Sequence, residues 1–106
     1  MEHFDTGNIV SREVVKGVHG KFVHSSHMTM AWWLIEKDAS LPEHSHDHEQ
    51  VVNVIEGTLE ISSGNQVWTL NPGSVLVIPG GVPHLARGVT ECRVIDAFYP
   101  VREDYK

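Results

Sequence analysis

Two short segments hold most of the residues able to do chemistry. The first, His44-Ser45-His46-Asp47-His48-Glu49-Gln50, puts a nitrogen or oxygen donor at every second position. In an extended chain alternate residues share a face, so His44, His46, His48 and Gln50 lie on one side and Asp47 and Glu49 on the other. Val52 and Val54 continue the histidine side. That side therefore belongs in an apolar interior, which selects Gln50 over Glu49 as the oxygen donor. Alternate residues of a strand stand about 7 Å apart at Cα, close enough for two imidazoles to converge on one ion at roughly 2.1 Å. The second segment runs from Gly73 to His84 and brings in one more histidine through a turn, an apolar strand and a second turn. His44, His46, Gln50 and His84, with His48 in the same register, are thus the candidate ligands of one divalent transition metal. Three imidazoles and an amide oxygen suit Zn, Ni, Fe or Mn with little discrimination. A histidine-rich tract alone is only a compositional hint, and the pairing of the two segments supplies the specificity. Of the 8 histidines, His3, His19, His24 and His27 fall outside any ligand spacing and read as surface or core-edge residues.

A third chemical feature is an acid inside an apolar strand. Val94, Asp96 and Phe98 share one face there, and Ile95, Ala97 and Tyr99 the other. If the Asp96 face points inward, burial raises the pKa of the carboxyl while a neighbouring cation lowers it, a balance frequent at catalytic sites. The alternative is a structural aspartate at the surface or paired with Arg93 or Arg102.

The elements that must position these groups read as all-β. Val, Ile, Thr and Trp fall in short runs between Gly, Pro, Asn and Asp, with no useful helical period. Strands are expected over 20–24, 28–36, 50–56, 58–62, 66–70, 74–78, 84–87 and 92–98, a set that suits a small closed antiparallel barrel. Ser63-Gly64-Asn65 and Asn71-Pro72-Gly73 supply tight turns. A chain of 106 residues makes one domain. The barrel is expected over about 20–100, with residues 1–17 an arm or edge strand. The net charge of -6 and only 8 Lys plus Arg leave no basic patch for nucleic acid or anionic lipid. No apolar run reaches the roughly 20 residues of a membrane span, and the start at Glu2, His3 and Asp5 is unlike a secretory signal. A soluble, cytoplasmic protein is expected, in keeping with a single Cys92 that forms no internal disulfide. An exposed barrel edge predicts a homodimer paired edge to edge.

The two donor segments resemble the paired motifs of the cupin superfamily. The first reads HxHxxxQ, then six residues, then Gly57; the second reads Gly73, five residues, then PxGxxH ending at His84. The resemblance spans about Asp38 to Arg102 and implies a double-stranded β-helix with metal at His44, His46, Gln50 and His84; His48 is not among them and takes a structural role or one of supporting the ligands. Three positions depart from the pattern: Asp38 where the first motif opens with Gly, Gln50 for the usual Glu, and Gly88 where the second often ends in Asn. Gln in place of Glu leaves the site one negative charge short, which argues against oxygen chemistry.

The tail, DxFxPxRxDY from Asp96 to Tyr105, following HxHxHEQ, is similar to that of the KdgF group of pectin-degradation proteins. That resemblance implies conversion of cyclic 4,5-unsaturated uronates, released by pectin or alginate lyases, into linear 5-keto sugar acids. It also implies that Asp96, Phe98 and Arg102 are functional: Asp96 as general acid and base, Arg102 as a bidentate clamp on the substrate carboxylate, and Phe98 as an apolar ring face. Asp47 stands where the group commonly has Pro. Trp32 and Trp33 read as core residues, with a stacking wall beside the sugar as the alternative. Two other functions fit the same frame: an Fe(II) cupin dioxygenase, and a non-catalytic, metal-dependent binder of a sugar acid.

Overall fold

The computed structural model describes residues 1–106. Ten strands follow one another: β1 (Arg12–Val15), β2 (Val18–His24), β3 (Thr29–Ile35), β4 (Ser40–His44), β5 (Glu49–Glu56), β6 (Leu59–Ser63), β7 (Gln66–Leu70), β8 (Val75–Ile78), β9 (His84–Gly88) and β10 (Cys92–Tyr99). Short 3-10 turns lie at Thr6–Asn8 and Glu103–Tyr105, and no helix is long and apolar enough to cross a membrane. The strands form a six-stranded sheet, β1-β2-β3-β10-β5-β8, and a four-stranded sheet, β4-β9-β6-β7. All pairs are antiparallel. The all-β expectation holds, and the barrel is a flattened one, a jelly-roll-like sandwich whose hydrogen bonding divides into two sheets.

Two strands exceed the expected eight. β1 lies inside the predicted arm and forms one edge of the larger sheet. β4 escapes a propensity reading because it carries Pro42, which has no N–H to donate. Its place at the edge of the smaller sheet, with a register irregularity between Leu41 and His44, accommodates the proline. Asp38 takes φ 66°, the left-handed region, which explains why the cupin pattern prefers Gly there; Asp is among the few other residues that tolerate it.

Alternation along the central strands builds the core. Val52 and Val54 on β5, Val94 and Phe98 on β10, and Ala31 and Ile35 on β3 are buried, and each Val- or Phe-sized side chain contributes about 1.5–3 kcal/mol on leaving water. β10 sits between β3 and β5, so Asp96 stands opposite Ala31 on one side and Val52 on the other. Cys92 is free and buried, and burial first, then the charge of Glu91, pushes its thiol up to about 11.

Candidate metal centre

His44 is the last residue of β4 and Gln50 the second of β5, strands that belong to different sheets. Residues 45–48 are the crossing between them. The single extended segment expected from His44 to Gln50 is therefore broken, because the chain must leave one sheet and enter the other within four residues. Parity holds inside β5, where Gln50 is buried and Glu49 exposed, and the same alternation runs back through the crossing, where His46 and His48 are half-buried and Ser45 and Asp47 exposed. That loop is fastened to the turn before β9. The Gly81 N–H donates to the His46 carbonyl at 2.7 Å, and Gly81 itself adopts φ 81°. A Cβ at the neighbouring Gly80 would stand 2.5 Å from the Asp47 carbonyl oxygen, so the two segments meet where only glycine fits.

Each of the three histidines is oriented by a carbonyl two residues away. Nδ1–H donates to Pro42 from His44 at 2.9 Å, to His48 from His46 at 3.0 Å, and to Val82 from His84 at 2.9 Å. With the proton fixed on Nδ1, Nε2 presents a lone pair, the tautomer a metal needs. One donor atom from each of His44, His46 and His84 lies within 4.8 Å of the other two. Burial lowers the pKa of His84, with the charges of His44 and Arg102 adding to it against the Val82 bond. Burial also lowers that of His46, aided by Arg102 and His84.

Two contacts test whether a cation fits. His84 Nε2 is buried with no hydrogen-bond partner. His46 Nε2 faces Gln50 Oε1 at 3.2 Å, while the Gln50 amide nitrogen is already donating to Asp96 at 2.8 Å. Two lone pairs therefore confront one another. Donors held about 2.1 Å from a shared ion stand roughly 3 Å apart, so a metal resolves a contact that is otherwise unfavourable. The residues fit the group.

Asp96 lies behind this cluster, 5% exposed. Its Oδ2 accepts from the Gln50 amide and from the Trp33 indole N–H at 3.1 Å, and its Oδ1 is buried without a partner. Burial raises its pKa to about 7, against the pull of the Gln50 and Trp33 hydrogen bonds and the charge of Arg102. It is paired with neither Arg93, which meets Glu56, nor Arg102. Trp32 is half-buried on the opposite face of β3 and stands outside the core, contrary to expectation; Trp33 occupies the core as expected, yet its indole nitrogen is also part of the site. Only its face, shared with Ala31 and Ile35, hints at that in the sequence.

The tail closes one side. Arg102 is 6% exposed and lies over the rings of Phe98 at 4.7 Å and Tyr105 at 4.2 Å. Its Nε and Nη2 donate to the two carboxylate oxygens of Asp104, so the bidentate edge is engaged within the tail. Burial acts to lower the Arg102 pKa, but Asp104 and Tyr105 outweigh it and raise it. Tyr105 also stacks on Phe22 at 4.5 Å. Tyr105 lines the cavity and Asp104 holds the Arg102 fork, roles that sequence spacing assigns to neither. His44, Gln50, His84, Asp96, Phe98 and Arg102 line one cavity between the sheets.

Residues 31–98 match the Cupin domain family model, more than half of the chain. The chain is a cupin. Among solved structures, this cupin is similar to KdgF from Halomonas sp., with a TM-score of 0.92 and 25% identity over 100% of this chain and 99% of that one. It is also similar to an RmlC-like cupin from Shewanella frigidimarina NCIMB 400, with a TM-score of 0.91 and 27% identity over 100% and 97%. Oxalate decarboxylase from Bacillus subtilis shares the fold at 16% identity and a TM-score of 0.82, over 92% of this cupin and 29% of that chain. No functionally curated protein matches the sequence.

Proposed function

We propose that this cupin converts cyclic 4,5-unsaturated uronates, of the kind released from pectin or alginate, into linear 5-keto sugar acids. The observation that carries the reading is the free Oδ1 of Asp96, a buried carboxyl oxygen without a partner in the cavity it shares with His44, His84, Phe98 and Arg102. The likeness to KdgF from Halomonas sp. over the full chain supports it.

The reaction needs one group that gives and then takes a proton. Protonated Asp96 delivers its proton to C4 of the enol ether, and the positive charge that develops at C5 is quenched by water. The Asp96 carboxylate then removes the proton released by that water. Cleavage of the bond from C5 to the ring oxygen, with the hemiketal proton passing to that oxygen, leaves a ketone at C5 and a linear chain. Trp33 and Gln50 hold Oδ2 throughout, which leaves Oδ1 as the oxygen that carries the proton. Phe98 offers an apolar face to the sugar, and the Arg102 guanidinium provides positive charge for the uronate carboxylate. A divalent transition metal held by His44, His46, His84 and the Gln50 oxygen would supply Lewis-acid stabilisation of charge on substrate oxygens.

The test follows the ultraviolet absorbance of a 4,5-unsaturated uronate with purified, metal-loaded protein. Decay well above the spontaneous rate is expected, and Asp96→Asn should lose about 10²–10⁴-fold while retaining its metal. Decay at the spontaneous rate with the wild type would sink the reading; full activity in Asp96→Asn would sink the assignment of Asp96.

A further inference from the structure

We infer that His48 is a positioning residue, a strut that sets the tail carrying Arg102 against the loop carrying His46; the inference rests on the uronate reading of the site. His48 makes two connections of different kinds. Its backbone carbonyl accepts the Nδ1–H of His46 at 3.0 Å, which aims the donor nitrogen of that ring. Its own ring donates from Nε2 to the carbonyl of Val101 at 3.2 Å, 53 residues along the chain. Val101 immediately precedes Arg102, whose backbone N–H donates to the Thr29 hydroxyl at 2.9 Å. The start of the tail is thus suspended between β3 and the crossing loop, and only the loop connection is made by a residue that also orients a metal-facing histidine.

The rest of the His48 ring shows that packing alone does not account for it. Nδ1 is buried and has no partner. The Nε2 bond to Val101 is therefore the one hydrogen bond that the ring makes with the protein, and it is a bond to the tail. The ring stands edge-on to His46, with centroids 5.4 Å apart, so a displacement of either is felt by the other. Substrate contacts at the metal-facing donors and at Arg102 then have a fixed separation, as catalysis by orientation requires.

The experiment compares His48→Ala, His48→Gln, Arg102→Ala and the double variant His48→Ala with Arg102→Ala. Gln restores an N–H donor of similar reach. His48→Ala is expected to raise KM for the unsaturated uronate about tenfold with kcat changed less than about threefold, and His48→Gln to recover most of the loss. In the Arg102→Ala background the same change should move KM less than about twofold, since a strut has nothing left to position. Backbone hydrogen exchange over 101–106, read without substrate, should speed up in His48→Ala and return towards wild type in His48→Gln. Metal stoichiometry should stay unchanged. Unaltered tail exchange in His48→Ala, or effects of His48→Ala and Arg102→Ala that simply add, would overturn the inference. A wild type that never consumes the uronate would overturn the proposed function instead, and tail exchange would then decide the role of His48 by itself.

Discussion

The two halves of the site are built by opposite means. Each histidine of the metal-facing half takes its orientation from a carbonyl two residues away, a bond the local chain makes for itself. Asp96 takes its orientation from Trp33 and Gln50, which are 63 and 46 residues distant and sit on different strands. The first half needs the crossing loop and the turn at Gly80 and Gly81 to bring three prepared rings together. The second exists only once β3, β10 and β5 are in register. Gln50 is the one side chain in both, with its oxygen towards His46 and its nitrogen on Asp96.

Removing a prepared ring should have the largest effect. His84→Ala deletes the donor whose Nε2 is buried without a partner. Changes to groups that merely support metal-binding histidines cost 10–100-fold in affinity, so loss of the ligand itself should weaken metal binding by more than about 100-fold. Calorimetric titration of the metal-free protein checks this, with Asp96→Asn as the companion that keeps wild-type affinity. Equal metal affinity in His84→Ala and wild type would mean that the three rings do not act as a set.

The next largest effect should come from Gln50→Glu, which adds charge to the metal-facing half and takes the hydrogen-bond donor from the other. A carboxylate at 50 supplies a stronger ligand, so the metal should be held more tightly. It cannot donate to Asp96 Oδ2, which the amide now reaches at 2.8 Å, unless the two acids share a proton. Turnover of the unsaturated uronate is expected to fall about 10²-fold while metal affinity rises. Affinity and turnover moving in the same direction would show that the two halves are not joined through this residue. The expected outcome would explain the departure from the usual cupin Glu as a donor required by Asp96.

This difference in construction also governs what could be read before folding. The histidine spacing and the turn before His84 are local patterns, and they identified the three rings whose donor atoms lie within 4.8 Å of one another. Parity within a single strand likewise turned Gln50 inwards correctly, and it grouped Asp96 with Val94 and Phe98, whose burial in the structure decides between the inward and the surface reading left open for that residue. Across 45–48 the alternation of exposed and half-buried residues also holds, with His46 and His48 turned in and Ser45 and Asp47 out, although the chain there passes between sheets and is not one strand. β4 was missed because its proline and polar residues satisfy an edge, which no window of propensity recognises. The indole bond to Asp96, the capture of the Arg102 fork by Asp104 and the hold of His48 on Val101 depend on partners that only the sheet register and the path of the tail bring near.

The smallest expected effect isolates one strand-register contact with the packing left nearly intact. Trp33→Phe keeps an aromatic ring in the core beside Tyr105, which lies 5.8 Å away, and removes only the indole N–H and part of the ring. Asp96 then loses one of the two donors on Oδ2, so its carboxyl is held by Gln50 alone and Oδ1 is less firmly singled out as the oxygen that carries the proton. A hydrogen bond to a charged or partly charged group is worth about 1.5–3 kcal/mol, which sets the expected loss of turnover at roughly 10–100-fold, with the lower end favoured because Gln50 still holds the same oxygen. Metal affinity should be unaffected, since none of the three rings touches the indole nitrogen. A Trp33→Phe variant with wild-type turnover and a normal melting temperature would reduce Trp33 to a core residue and leave Gln50 alone as the anchor of Asp96. A variant that instead loses metal would show that the halves communicate through the packing as well as through Gln50.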